Sequence, residues 1–309
     1  MRIGVVGAGA TGGYFGGLLA RAGHNVTFVA RGQQLDEISR RGLRLRTLLA
    51  GDFTVAAKVV GETDQAGRMD LVLFCVKTYD TDMAVGHLPP MIDSDTWVLS
   101  VQNGVDSAER LAKIVGNEHV IGAVAQVSAQ LTEPGEITQM AGPGKLVIGE
   151  CSGGASLRSA QIAQAFEQAG IPSAVHPQIR NAIWEKFLLI CGLSGITALT
   201  RLPIGPVLGC PESKALLRDI MTEVAAVARV NHIALPDGCV DQTIAVLASL
   251  SPAVRGSLAH DLAAGRRLEL ESLNGTLVAL GRKHGVATPV NDVVYAALKP
   301  YDGGPPVMP

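Results

Sequence analysis

The chain opens Met1-Arg2-Ile3-Gly4-Val5-Val6-Gly7-Ala8-Gly9-Ala10-Thr11-Gly12-Gly13, and the reading of this stretch decides the fold. Ile3 to Val6 is an apolar run of the kind that forms a parallel strand buried on both faces. It enters Gly7-x-Gly9-x-x-Gly12 directly, and a helical pattern follows from Tyr14 to Ala22. In a strand–turn–helix of this type the first glycine permits the tight turn. The second admits a pyrophosphate against the backbone, and the third lets helix and strand pack closely. The free N–H groups and the dipole of the helix start favour phosphate. Asn25 to Ala30 then supplies a second strand and completes a strand–helix–strand unit. Gly7, Ala8, Gly9, Ala10, Thr11 and Gly12 are therefore expected to bind a dinucleotide in a Rossmann-type parallel-sheet domain.

The end of the second strand bears on which dinucleotide. A site for NAD places Asp or Glu there, to accept from the ribose 2′-hydroxyl. Here the chain reads Val29-Ala30-Arg31-Gly32. No carboxylate is offered, and the planar fork of Arg31 suits a 2′-phosphate. NADP(H) is the expected cofactor; the alternative is that Arg31 is a solvated loop arginine.

Two further strands, 70–76 and 96–101, end in Lys77-Thr78-Tyr79-Asp80 and Gln102-Asn103-Gly104. In an open α/β sheet, ligands bind beyond the carboxyl ends of the strands. Lys77 and Asn103 are expected there as cofactor or substrate contacts, with simple turn chemistry as the alternative.

The rest of the first half reads as a helix at 33–41 and short runs at 43–49 and 53–60 that could pair as an edge hairpin. Strands at 120–128, 135–139 and 145–148 follow, separated by Pro134-Gly135 and Gly142-Pro143-Gly144. A helix at 157–169 and a strand at 173–176 bring the chain to Pro177. Beyond it the pattern turns helical, at 179–199, 212–232, 239–250, 269–284 and 292–298, with a loose tail at 301–309. The expected architecture is α/β: a sheet domain at 1–177 followed by an all-helical domain at 178–309. A small-molecule site is expected in a cleft between them.

Composition narrows the function. Of 309 residues, 47% are hydrophobic, which supports a sizeable core, and the net charge of −2 gives no electrostatic case for nucleic acid or an anionic membrane. Aromatic residues are 4%, too few for a base-stacking platform. The five cysteines, Cys75, Cys151, Cys191, Cys210 and Cys239, form no C-x-x-C pair and suit a reducing cytoplasm. The N-terminus lacks the features of a signal peptide, because the first strand begins at once. The most apolar later stretch, 187–199, reads as too short and glycine-broken for a membrane span. The histidines show no ligand spacing, so no metal is expected.

Two titratable residues sit where core packing alone would not put them. Lys186 lies in Ile183-Trp184-Glu185-Lys186-Phe187-Leu188, and its helical face carries Ile183, Ile190, Leu193, Ser194 and Thr197. It either snorkels to solvent or serves chemistry, and burial would bring its pKa toward the range of a general acid. Glu269 shares a stripe with Leu273, Leu277 and Leu280 and needs a partner, either a lysine or ligand or else Arg266 or Arg255. Glu271 faces the other way, toward solvent. Ser257, with Asp261 one turn on, is either a cap or a ligand contact.

Taken together, Gly7-x-Gly9-x-x-Gly12, Arg31, Val76-Lys77-Thr78, Gln102-Asn103-Gly104, Trp184-Glu185-Lys186-Phe187 and Thr197-Ala198-Leu199 resemble the ketopantoate reductase family. Ser257 to Asn274, with Asp261, Gly265, Arg266, Glu269 and Asn274, adds to that resemblance, which runs along nearly the whole chain. It implies NADPH-dependent reduction of a small 2-oxo acid, ketopantoate to pantoate or a related pair. Lys186 would be the acid and Glu269 a second catalytic residue that also reaches the cofactor. Lys77 and Asn103 would contact cofactor and reacting group, Ser128 the nicotinamide side, and Ser257 the substrate. Asn103, Lys186, Ser194 and Ser257 are thus the expected substrate residues, and a homodimer is the expected assembly. The family's ketopantoate enzymes carry asparagines where this chain has Ile190, Ser194 and Ile204, which points to a bulkier or less polar substrate. The rival reading is a catalytically silent NADP-binding sensor.

Overall fold

The structure is a computed structural model that describes residues 1–306. It divides into two compact units, one of residues 1–102 and 107–182, the other of 103–106 and 183 onward. The part of the expected loose tail at 307–309 lies outside the described residues.

The first unit is a ten-stranded sheet. Its strands are β1 (Arg2–Val6), β2 (Asn25–Val29), β3 (Leu43–Thr47), β4 (Gly51–Val55), β5 (Lys58–Val60), β6 (Leu71–Phe74), β7 (Trp97–Ser100), β8 (Val120–Glu133), β9 (Glu136–Glu150) and β10 (Ser173–Val175). Their order is β4-β3-β9-β8-β7-β6-β1-β2-β5, with β10 against β9. The helices of this unit are α1 (Ala10–Arg21), α2 (Gly32–Arg41), α3 (Thr81–Gly86), α4 (Ser107–Val115) and α5 (Leu157–Gln168).

The central strands are apolar because both faces are covered. Ile3, Val5, Phe28, Leu73 and Leu99 pack with Phe15 and Leu19 in one cluster, while Val6, Val72, Phe74 and Val98 pack with Met91 and Leu111 in another. Parallel register aligns Val6 with both Val29 and Phe74, and Phe74 with Ser100. The carboxyl ends of β1, β2, β6 and β7 thus share one edge. From β1 the chain winds outward through β2 on one side and β6 on the other, and that reversal is where open sheets bind ligands.

Two expectations about the sheet are corrected. The run 53–60 is two strands, not one: β4 closes the hairpin with β3, while β5 crosses to lie parallel beside β2. Alternation shows that a run is extended; it does not say which edge it joins. Second, Gly142-Pro143-Gly144 does not end a strand, and β9 runs through it. β8 has register shifts on either side of Ser128, opposite Ala141, so the missing proline N–H falls at a bulge. The helical stretch expected at 179–199 forms, and it holds the apolar run 187–199.

That stretch is α6 (Ile179–Thr200), 22 residues long. Length and composition would let it cross a membrane, but 67% of its most apolar window is buried inside the protein. It serves as the core helix of the second unit, with α7 (Ile204–Gly209), α8 (Pro211–Val230), α9 (Cys239–Ser249), α10 (Ser257–Ala263), α11 (Thr276–His284) and α12 (Pro289–Leu298). Phe187, Leu188, Cys191 and Ile196 of α6 pack with Ile220, Met221 and Val224 of α8, Leu277 of α11 and Val294 of α12. The helix expected from 269 starts later, as a π-helical turn at Glu271–Gly275 that leads into α11.

Candidate active site

The glycine turn meets each requirement for a dinucleotide. Gly7 has φ +98°, and a Cβ there would stand 2.7 Å from the Val76 nitrogen, so the turn after β1 touches the turn after β6. A Cβ on Gly12 would stand 2.1 Å from the Gly7 oxygen and about equally close to Val5 and Cys75, at 3.0 Å each; this is the tight helix–strand contact. Nothing lies within 4 Å of a Cβ built on Gly9, so the backbone is open there. Gly9 caps α1 without a side-chain hydrogen bond, and no acidic residue occupies the first turn. The residues present therefore fit a pyrophosphate at the start of α1. Gln34, which sequence reasoning did not single out, braces this loop. Its Nε2 donates to the Ala8 oxygen at 2.7 Å and its Oε1 accepts from the Gly135 N–H at 2.8 Å.

On the same strand edge, Arg31 is exposed between β2 and α2, and Lys77 is exposed after β6. Gln102 at the end of β7 is buried; its Nε2 donates to the Val76 oxygen and to Thr81 Oγ1, each at 2.9 Å. It ties the turn that carries Lys77 to the end of the neighbouring strand. Ser128 is exposed at the bulge of β8.

In the second unit, Lys186 is half-buried on α6, and its Nζ donates to Asn103 Oδ1 at 2.8 Å. The two are 83 residues apart in sequence. Loss of hydration lowers the lysine pKa from its ordinary 10.5 to about 8, with the negative charge of Glu269 working against that fall. Glu269 is itself buried, at 7% exposure. Arg266 pairs with Asp261 at 2.8 Å and Arg255 donates to the Arg201 oxygen, while the charge of Glu269 acts on Lys186. Glu271 accepts from Tyr295 Oη at 2.8 Å and pairs with Lys299 on the surface.

Next to Asn103, Gly104 has φ +97°, and a Cβ there would lie 3.0 Å from the Ser272 carbonyl oxygen. The short loop 103–106 is thus seated against the π-helical turn. Two turns along α6 from the lysine, Ser194 is 2% exposed and covered by Gly256, where a Cβ would stand 2.4 Å from the Ser194 Cα. Thr197 Oγ1 accepts from the Gly256 N–H at 3.1 Å and so fixes the entry to α10, which begins with half-buried Ser257. Ile190 is half-buried, whereas Ile204 is fully enclosed by the apolar core. Among the described residues no group of three or more His, Cys, Asp or Glu is placed to hold a metal ion.

Two family models match along the chain. "Ketopantoate reductase PanE/ApbA" covers residues 3–153 and its C-terminal counterpart covers 178–302. The chain belongs to the ketopantoate reductase family. It is 32% identical to a 2-dehydropantoate 2-reductase of Halobacterium salinarum, over 94% of this chain and 95% of that one. It is 27% identical to an uncharacterized oxidoreductase, YkpB, of Bacillus subtilis, over 98% and 99%. The crystal structure of a PanE/ApbA family ketopantoate reductase from Ralstonia eutropha JMP134 superposes with a TM-score of 0.90 at 36% identity, covering 98% of each chain. The protein is thus an oxidoreductase of the ketopantoate reductase fold, and that family is one of enzymes that reduce 2-oxo acids.

Proposed function

We propose that this protein reduces a 2-oxo acid to the 2-hydroxy acid with NADPH, Lys186 protonating the carbonyl oxygen. One observation carries the reading: a half-buried lysine held by Asn103 Oδ1 at 2.8 Å, with its pKa brought to about 8. Such an ammonium is charged at neutral pH and can still part with its proton, as a general acid must.

The residues divide the work. Gly7, Gly9 and Gly12 would seat a pyrophosphate at the start of α1, and Arg31 would pair with a 2′-phosphate. Lys77 and Ser128 are proposed as further cofactor contacts. When bound, a reduced nicotinamide supplies the hydride that becomes the new C–H bond. Lys186 holds a proton at Nζ, aimed by the Asn103 acceptor, and delivers it to the oxygen as that atom becomes negative. Glu269 keeps the amine protonated against the cost of burial. Ser257 is proposed to meet the substrate, with buried Ser194 covered by Gly256 just before it.

The residues around Ser194 bear on which 2-oxo acid is reduced. Ile190 offers no hydrogen bond and Ser194 only a short hydroxyl, so a substrate with an apolar side chain is favoured over one with a hydroxyl to satisfy. The test is NADPH oxidation with a panel of 2-oxo acids that includes ketopantoate, for wild type and Lys186→Ala. Turnover that needs the lysine, and is best on an apolar side chain, is the expected result. NADPH binding with no lysine-dependent turnover would overturn the proposal and favour a silent sensor. Ketopantoate as clearly the best substrate would overturn the substrate class alone.

A further inference from the structure

We propose that Asn274, Asn291 and Glu223 form a positioning device that, through the π-helical turn Glu271–Gly275, sets the geometry of Asn103, Lys186 and Glu269. This rests on the reading of Lys186 as the proton donor.

The π-helical turn adjoins Glu269 and the loop that carries Asn103, the acceptor of Lys186. Glu269 lies two residues before it, and the Ser272 carbonyl presses on Gly104, the residue after Asn103. Turns of this kind are rare inside α-helices and recur at functional sites. What holds the turn is a buried polar chain. Asn274 is fully buried, and its Nδ2 donates to Asn291 Oδ1 at 2.9 Å. Asn291, also fully buried, donates from Nδ2 to Glu223 Oε2 at 2.6 Å and to the Ile220 oxygen at 3.2 Å. Glu223, on α8, accepts the N–H groups of Val290 and Asn291 at 2.8 and 2.9 Å, in the first turn of α12. One carboxylate thus caps α12 from the side, and two amides carry that anchor to the π-helical turn.

Asn274 also fixes the turn to the helix that bears the lysine. Its Nδ2 lies 3.2 Å from where a Cβ on Gly195 would be, one residue past Ser194 on α6. Its Oδ1 is buried without a hydrogen-bond partner among the described residues. A half-satisfied amide is a poor choice for stability in an apolar core. Directional bonds that fix one arrangement are what the amides add.

The test uses a polarity swap in the full-length enzyme. Asn291→Asp sets a carboxylate against Glu223. Adding Glu223→Gln restores a donor to that contact and keeps an acceptor for the Val290 N–H. The single variant is expected to lose roughly tenfold to a hundredfold in kcat, as misplaced reacting groups do. Its solvent deuterium isotope effect on kcat should rise, because proton delivery becomes slow, while the Kd for NADPH stays at the wild-type value. The double variant is expected to recover most of both. Asn274→Ser, a smaller change, is measured in the same way if Asn291→Asp does not fold. Wild-type kcat per folded molecule and an unchanged isotope effect, with only a lower Tm, would overturn the inference while Lys186→Ala stays inactive. Full activity of Lys186→Ala would instead overturn the proton-donor reading beneath it.

Discussion

Lys186 carries its ammonium where water is scarce, and under the proposed function that cost suits it to give up a proton. Its folded pKa of about 8 lies below the 10.5 of an unfolded chain, so the ammonium opposes folding. The opposition is full below about pH 8 and fades as pH rises toward 10.5. Replacing it with methionine should therefore raise Tm at neutral pH while lowering kcat by about 10²- to 10⁴-fold, the usual range for a lost general acid. Thermal melting and initial rates on one preparation check both. The same pKa sets a pH profile. Reduction needs the protonated form, so kcat should hold below about pH 8 and fall above it. Glu269→Gln, by removing the negative charge that supports protonation, should move that fall to lower pH. Arg31 makes a separate prediction. Arg31→Ala should weaken NADPH by about tenfold to a hundredfold, the size of a charge-assisted hydrogen bond, and leave NADH nearly unchanged. Fluorescence titration with both nucleotides distinguishes this from a solvated arginine, whose loss would change neither.

Among the elements, the first turn and α6 show how different the two kinds of constraint are. The glycine turn is mostly local: β1, the turn and α1 are adjacent in sequence, and the contact of Gly12 with the Gly7 oxygen follows from that adjacency, although Gly7 also meets Val76 across the sheet. Gly12→Ala would place a methyl group 2.1 Å from the Gly7 oxygen, so backbone must move. The expected outcome is a lower Tm together with loss of NADPH binding, read by melting and by titration. On α6 the constraint is remote. Ser194 sits under Gly256, and Thr197 holds that glycine through its N–H, 59 residues away. Thr197→Val keeps the shape and removes the acceptor, leaving a buried N–H unpaired. That should cost about 1–3 kcal/mol and raise KM for the 2-oxo acid through displaced Ser257. Denaturant unfolding and the KM–kcat split check it.

At the scale of the molecule, each unit has its own apolar core, and the glycine turn and Arg31 belong to the first of them. NADPH at a hundred times its Kd should stabilise the folded form by about 2.7 kcal/mol. Melting with and without nucleotide checks this, and the shift should shrink in Arg31→Ala at the same concentration. How far such behaviour was legible in the sequence depends on the range of the interactions. The glycine spacing, the apolar central strands and the helical period after Pro177 are local patterns set by backbone sterics and burial, and they determined the α/β unit, its nucleotide turn and the helical unit after it. The same locality marked Lys186 and Glu269 as charges on apolar faces. It could not say that Asn103, before α4, joins the second unit to accept from Lys186, nor that β5 leaves its hairpin for β2. Nor could it show that Asn291 is buried against Glu223, or that Gly142-Pro143-Gly144 rides over a bulge. Hydrogen bonds and packing between residues far apart in sequence have no period along the chain, so only the tertiary structure decided them.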